Sequence, residues 1–169
     1  MLKLIINQEE HYDESTNEFI KVNGQTIELE HSLLSLSKWE SIHQIPFLGP
    51  DTKTSEQILS YIWCMILTPD ISPNVLQLFT QEDLDKIDKY INSKESATTF
   101  GIMPEHKGPS ETITSELIYY WMVAFNIPFE CETWHINRLF SLIRICNIKN
   151  SKPKKMSRKE IAEQNRALN

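Results

Sequence analysis

The chain has 169 residues, 40% of them hydrophobic and 24% charged, with a formal net charge of −6. That is enough apolar matter for one packed domain with a small appendage, and too acidic a balance for non-specific nucleic-acid binding by the main body. The charge is unevenly spread: residues 149–169 carry seven Lys/Arg against Glu160 and Glu163, a local +5, so residues 1–148 sum to −11.

Read in chain order, the N-terminus has strand character. Leu2, Leu4 and Ile6 alternate with Lys3 and Ile5. Residues 13–17 are polar and suit a first connection. Further on, Asn23-Gly24 lies between two strand-like runs, residues 19–22 and 25–30. Asn-Gly tolerates the positive φ that both central residues of a type I′ turn require, so a hairpin is predicted here. Ile27 and Leu29 are then expected to face inward, with Glu28 and Glu30 on the solvated face.

From Ser32 the pattern becomes helical. Leu33, Leu34, Leu36, Trp39 and Ile42 share one broad face, and Pro46 and Gly49-Pro50 stop the helix. Thr54 and Gln57 have capping-box spacing, in which each side chain satisfies a free N–H of the other residue. Ile58, Leu59, Ile62, Trp63 and Ile66 follow at helical spacing. Residues 75–79 predict a short helical turn. Thr80 caps an amphipathic helix whose stripe is Leu84, Ile87 and Ile91.

Residues 93–110 read as a connector. A strongly apolar helix is predicted from Ser110 or Thr112 through Phe125, with Glu116 as a first-turn acid. A tight corner at residues 126–129 leads to a last helix over about 131–147, packed on its neighbour as an αα-hairpin. Residues 151–155 mark a linker before a basic segment with a second possible capping box at Ser157 and Glu160. The expected fold is α+β and predominantly α. It has a single domain over 1–150 (β-rich to 31, helical from 32) and a basic tail, 151–169, with a short helix.

Chemistry-bearing constellations are sparse. On a continuous helix Cys131 and His135, four apart, would share a face, yet structural zinc usually needs four ligands. Three cysteines at long spacing suggest a reducing compartment rather than a disulfide framework. There is no clustered-glycine phosphate loop and no GxSxG elbow. No secretory signal is expected, and the longest apolar run, residues 117–125, is too short for a bilayer. No catalytic residue, metal or cofactor is assigned, and an enzyme is the least supported class. Partner contacts are expected from the loop bearing Trp39, Phe47 and Leu48, because Trp and Tyr are enriched in sticky patches. The tail adds Lys152, Lys154, Lys155, Arg158 and Lys159, although it lacks the aromatic platforms of single-strand nucleic-acid binders.

Several blocks are similar to a protein family encoded in the tail-gene region of siphophages. They are residues 28–41 (ELEHSLLSLSKWES), 46–48 (PFL), 116–122 (ELIYYWM), 126–131 (NIPFEC), 134–135 (WH), 137–139 (NRL), 146–150 (CNIKN) and 153–157 (PKKMS). Together they extend over nearly the whole chain. The resemblance implies a tail assembly chaperone of the host cell cytoplasm. Such a protein binds the tape measure protein and recruits the major tail protein around it, and self-association is a further option. Two other classes stand beside it. One is a structural virion component, such as a tail-completion or adaptor protein. The other is a regulatory nucleic-acid binder acting through the tail, whose affinity would fall steeply with salt.

Overall fold

The computed structural model describes residues 1–6, 9–13, 17–22, 24–100 and 112–150. The basic tail with its linker and second capping box, and the connector from residue 101 on, with Ser110, lie outside the described residues.

Strand β1 (Leu2–Ile6) pairs antiparallel with β4 (Gln25–Leu29), and β2 (Glu9–Asp13) with β3 (Glu18–Val22). Ile6 opposes Gln25 and Glu9 opposes Val22, so the two ladders keep one register. This corrects the hairpin expected at Asn23-Gly24, because β3 and β4 are not partners. Gly24 does not have positive φ, whereas Asn17, after residues 14–16, does, at 58°. The reason is packing. The observed register sets Leu4 against Ile27 and Leu2 against Leu29, and it buries Leu4, Ile6, Ile27 and Leu29 on one face. A two-residue turn at 23–24 would have placed Glu18 opposite Leu29 and left β1 unpaired. A strong local turn signal loses to a longer pairing that joins two apolar faces.

Among the described residues five α-helices follow: α1 (Leu33–His43), α2 (Ser55–Met65), α3 (Gln81–Ile91), α4 (Ser115–Ala124) and α5 (Ile136–Asn150). Hydroxyl side chains cap the first four, from Ser32, Thr54, Thr80 and Thr114. Thr54 and Thr80 form complete capping boxes with Gln57 and Asp83. Such caps contribute about 1 kcal/mol each by satisfying amides that a helix start leaves free. The α4 cap is Thr114, so the helix starts later than expected. The short turn forecast at 75–79 is a 3₁₀ helix, Pro73–Leu78.

The last expected helix also begins later. Phe129–Thr133 is a 3₁₀ turn, Trp134 is extended, and α5 starts at Ile136. Cys131 and His135 therefore do not share a helical face. Nor do α4 and α5 pack closely as a hairpin: a groove of about 430 Å³, lined by Trp121, Phe125, Phe140, Ile143, Arg144 and Asn147, opens between them.

Helix α1 is the hub, packing on α2, on α4 and on the 3₁₀ turn before α5. The free edge of β4 is covered by the chain leaving α2. Glu30 N–H donates to the Met65 carbonyl (2.9 Å), and Leu67 N–H donates to the Glu28 carbonyl (2.8 Å). Covering that edge removes a template for unwanted strand pairing. The fold is α+β and predominantly helical. No described helix is long and apolar enough to cross a membrane.

Candidate functional site

Two buried polar clusters lie on either side of α1. The first gathers where β4, α1 and α5 meet. Ile136 N–H donates to the His31 carbonyl (2.7 Å), and a β-bridge joins Ser32 to His135. That pairing brings the His31 and His135 rings edge to face, 5.1 Å apart. Tyr61 of α2 meets His31 Nδ1 through its hydroxyl. Burial, and then the neighbouring His135, lower the His31 imidazole to about 3. Burial raises the Tyr61 phenol well above its usual range, so Tyr61 donates and His31 accepts.

His135 has a partner for each ring nitrogen. Its Nε2 donates to the Tyr90 carbonyl (3.1 Å), and its Nδ1 accepts the Asn137 amide (3.3 Å). Asn137 Nδ2 in turn donates to the carbonyls of Ile91 and Ser93, which ties α5 to the end of α3. Tyr90 donates its hydroxyl to Glu30 Oε1 (2.6 Å), and the Met1 amino group sits 2.9 Å from Glu30 Oε2. Glu30 is thus a buried anchor, at 8% exposure, rather than the solvated residue expected from alternation. It ends the strand, where the amino terminus and α3 close over it. Glu28 keeps to the surface and pairs with Lys3 (2.7 Å).

The second cluster centres on Glu40 of α1, which is 7% exposed. Its Oε1 accepts the Phe47 amide (2.8 Å) and its Oε2 accepts the Ser115 amide (2.7 Å). One carboxylate therefore pins both the loop after α1 and the positive start of α4. Beside it Trp39 donates Nε1–H to the Gln57 carbonyl (2.8 Å) and meets Phe47 edge to face, while Phe47 stacks on Tyr61 with centroids 3.9 Å apart.

These clusters are braces. Among the described residues no buried side-chain polar atom lacks a hydrogen-bond partner, and no three His, Cys, Asp or Glu side chains converge as a metal site. Cys64, Cys131 and Cys146 are free thiols, the first two buried.

The expected contact residues separate. Trp39 is 0% exposed, so it is a core residue and not a surface contact. Its ring is enclosed because α1 is covered by α2 on one side and by the 44–50 loop on another. Phe47 is half-buried in the same aromatic stack and also lines a groove, and Leu48 is exposed. Lys152, Lys154, Lys155, Arg158 and Lys159 lie outside the described residues.

Apolar surface lies elsewhere. Ile42, Ile58 and Leu59, expected to face inward, are 62%, 51% and 40% exposed. A groove of about 430 Å³ runs between α2 and α3. Tyr61, Ile62 and Ile87 form its floor, with Leu84 and Ile91 on one wall and Ile58 on the other. A second groove, about 480 Å³, lies over Ile42, Trp63, Cys64, Ile66 and Ile71. The sequence reading missed these faces because helical spacing marks an apolar stripe without saying which part of it is covered. The unusual width of the apolar arc on α2, with Ile58 and Leu59 beside Tyr61 and Ile62, was the available signal.

Compared with protein-family models, curated proteins and solved structures, the chain matches none of them.

Proposed function

We propose that this chain is a phage tail assembly chaperone, a non-catalytic helper that holds the tape measure protein reversibly in the host cell cytoplasm and assists recruitment of the major tail protein. The observation that carries this reading is the set of open apolar grooves between helices on an acidic body. Exposed apolar surface of this kind marks polypeptide-binding faces. A groove between two helices suits an amphipathic helix, whose apolar side chains at i, i+3, i+4 and i+7 would fill it.

The resemblance of residues 28–41, 116–122, 126–131, 134–135 and 137–139 to the siphophage tail-region family supports the same reading. In this chain those blocks supply Glu30, His31, Glu40, His135 and Asn137, the residues that brace the core. Their role in the chaperone is to hold the helices, and with them the grooves, in place.

The test is co-expression of the full chain with the tape measure protein of the same phage, followed by affinity capture. Recovery of a complex is the expected result. The reading fails if the tape measure protein is never captured while the other tail proteins associate normally. Proteomics of purified particles provides a second check: a chaperone is absent from them, and stoichiometric copies would point to a virion component.

A further inference from the structure

We propose that the α2–α3 groove is the docking site for a basic amphipathic helix, held by apolar side chains on its floor and by Lys or Arg against Asp85 and Asp88. This inference rests on the polypeptide-holding function above and names the partner chemistry of one face.

The floor is fixed before any partner arrives. Tyr61, Ile62 and Ile87 are almost fully buried, and Tyr61 is braced by His31 and by the Phe47 ring. Ile58 stands at the rim, half in solvent, with no interior role to explain it. A preorganised apolar floor lowers the ordering cost of binding.

The rim is acidic on balance, with two carboxylates to the one Lys53 ammonium. Asp85 and Asp88 line the α3 wall, both exposed, and neither forms an ion pair among the described residues. Their carboxylates accept only from the Gln81 and Asn92 side-chain amides, which leaves lone pairs for a cationic donor. Lys86, which lies between Asp85 and Asp88 in the sequence of α3, is taken by Glu82 (2.8 Å) and Asp83 (3.7 Å). Lys53, at the mouth of the groove, donates to its own loop at the Gly49 and Asp51 carbonyls. The −11 charge of residues 1–148 extends this local field and steers a cationic segment toward the body.

Two other grooves lack this pattern. The one over Ile42 sets a single acid, Asp70, against Lys38, and the one between α4 and α5 holds Arg144, whose guanidinium stacks on Phe100, and no acid. The α2–α3 groove, by contrast, combines an apolar floor with two acids that form no ion pair among the described residues.

The experiment titrates the full chain with two labelled synthetic helical peptides, measured by fluorescence anisotropy. Both carry Leu at i, i+4 and i+7; one is flanked by Lys and Arg, the other by Glu. The expected result is saturable binding of the basic peptide, at least tenfold weaker binding of the acidic one, and weakening of the basic complex with salt. Ile58→Glu, which alters an exposed side chain, should reduce basic-peptide affinity tenfold or more. The double variant Asp85→Asn, Asp88→Asn should bring the two peptides to similar affinity.

Equal binding of both peptides by the unaltered chain overturns the proposal, as does a folded Ile58→Glu variant that binds like the original. A dimer that dissociates on Ile58→Glu, with no peptide bound, assigns the groove to a second copy and also overturns it. Binding seen only after removal of residues 151–169 does the same in favour of the chain's own basic tail. The two functional claims fail separately. If both variants still capture the tape measure protein at full affinity, the chaperone function stands and this docking site falls. If the basic peptide binds as expected while no tape measure protein is captured, the docking site stands and the chaperone function falls.

Discussion

Helices α1 and α2 are both eleven residues long and pack against each other, yet they treat polarity in opposite ways. Helix α1 buries Ser35 and Glu40 beside Leu36 and Trp39. Helix α2 leaves Ile58 and Leu59 in solvent while burying Tyr61. The difference teaches that cover, not side-chain type, decides burial here. The inner face of α1 is enclosed by α2, α4 and the 44–50 loop, so its polar groups must find partners, and they do. The outer side of α2 faces an open groove, so its apolar groups remain available to something else.

The hardest blow to that contrast comes from its enclosed side. Trp39→Ala should cost roughly 3–5 kcal/mol, the usual range for truncating a large buried aromatic. Urea denaturation monitored by circular dichroism would measure it. A variant as stable as the original, but deficient in partner capture, would return Trp39 to the surface and break the comparison.

Glu40→Leu comes next, at roughly 3 kcal/mol, because hydrogen bonds to a charged group contribute about 1.5–3 kcal/mol each and two buried amides lose their acceptor. Glu40→Gln should fall between, since one amide oxygen can serve only one of the Phe47 and Ser115 N–H groups. If Leu and Gln prove equally harmless, the carboxylate does not pin α4.

The histidine cluster gives a pH-dependent test. Burial and His135 lower the His31 imidazole to about 3, from an ordinary value of 6.5. Between those values the unfolded chain binds a proton that the folded chain refuses. The contribution is therefore fully present above about pH 6.5 and is lost as pH falls toward 3, with a slope of up to about 1.4 kcal/mol per pH unit from this one group. Denaturation midpoints measured across that window should fall with acidification. His31→Gln, which removes the titrating group, should flatten the slope; an unchanged slope would remove His31 from the cause.

Much of this frame was legible in the sequence and part of it was not, for physical reasons that differ by element. The caps at Ser32, Thr54 and Thr80 were readable because they are local: a hydroxyl three residues before its amide needs nothing distant. The strand pairing was misread because Asn23-Gly24 is also a local signal, while the β1–β4 register depends on residues 19 to 27 positions apart. Glu30, Glu40 and the two histidines look like surface polar residues in sequence. Their partners, Tyr90, Ser115, Tyr61 and one another, arrive only through tertiary packing. The wide apolar arc of α2 hinted at an uncovered part, but which residue α3 would leave uncovered, Ile58, depends on tertiary packing.

The smallest expected effect is the one that sharpens the contrast most. Ile42→Ser and Ile58→Ser should each alter folding stability by no more than about 0.5 kcal/mol, the range of exposed substitutions away from caps and cores. On an enclosed helix face an Ile lost to a polar residue would be among the costliest changes, so a near-zero result at two positions that the apolar pattern marks as interior is informative. A loss of 2 kcal/mol or more at Ile58 would mean that the α2–α3 groove is closed in solution and that its apolar floor is ordinary core. Near-zero cost, measured by the same urea titrations that register Trp39→Ala, leaves the exposed Ile58 side chain with no structural reason to be apolar. Binding is then the remaining physical reason for it.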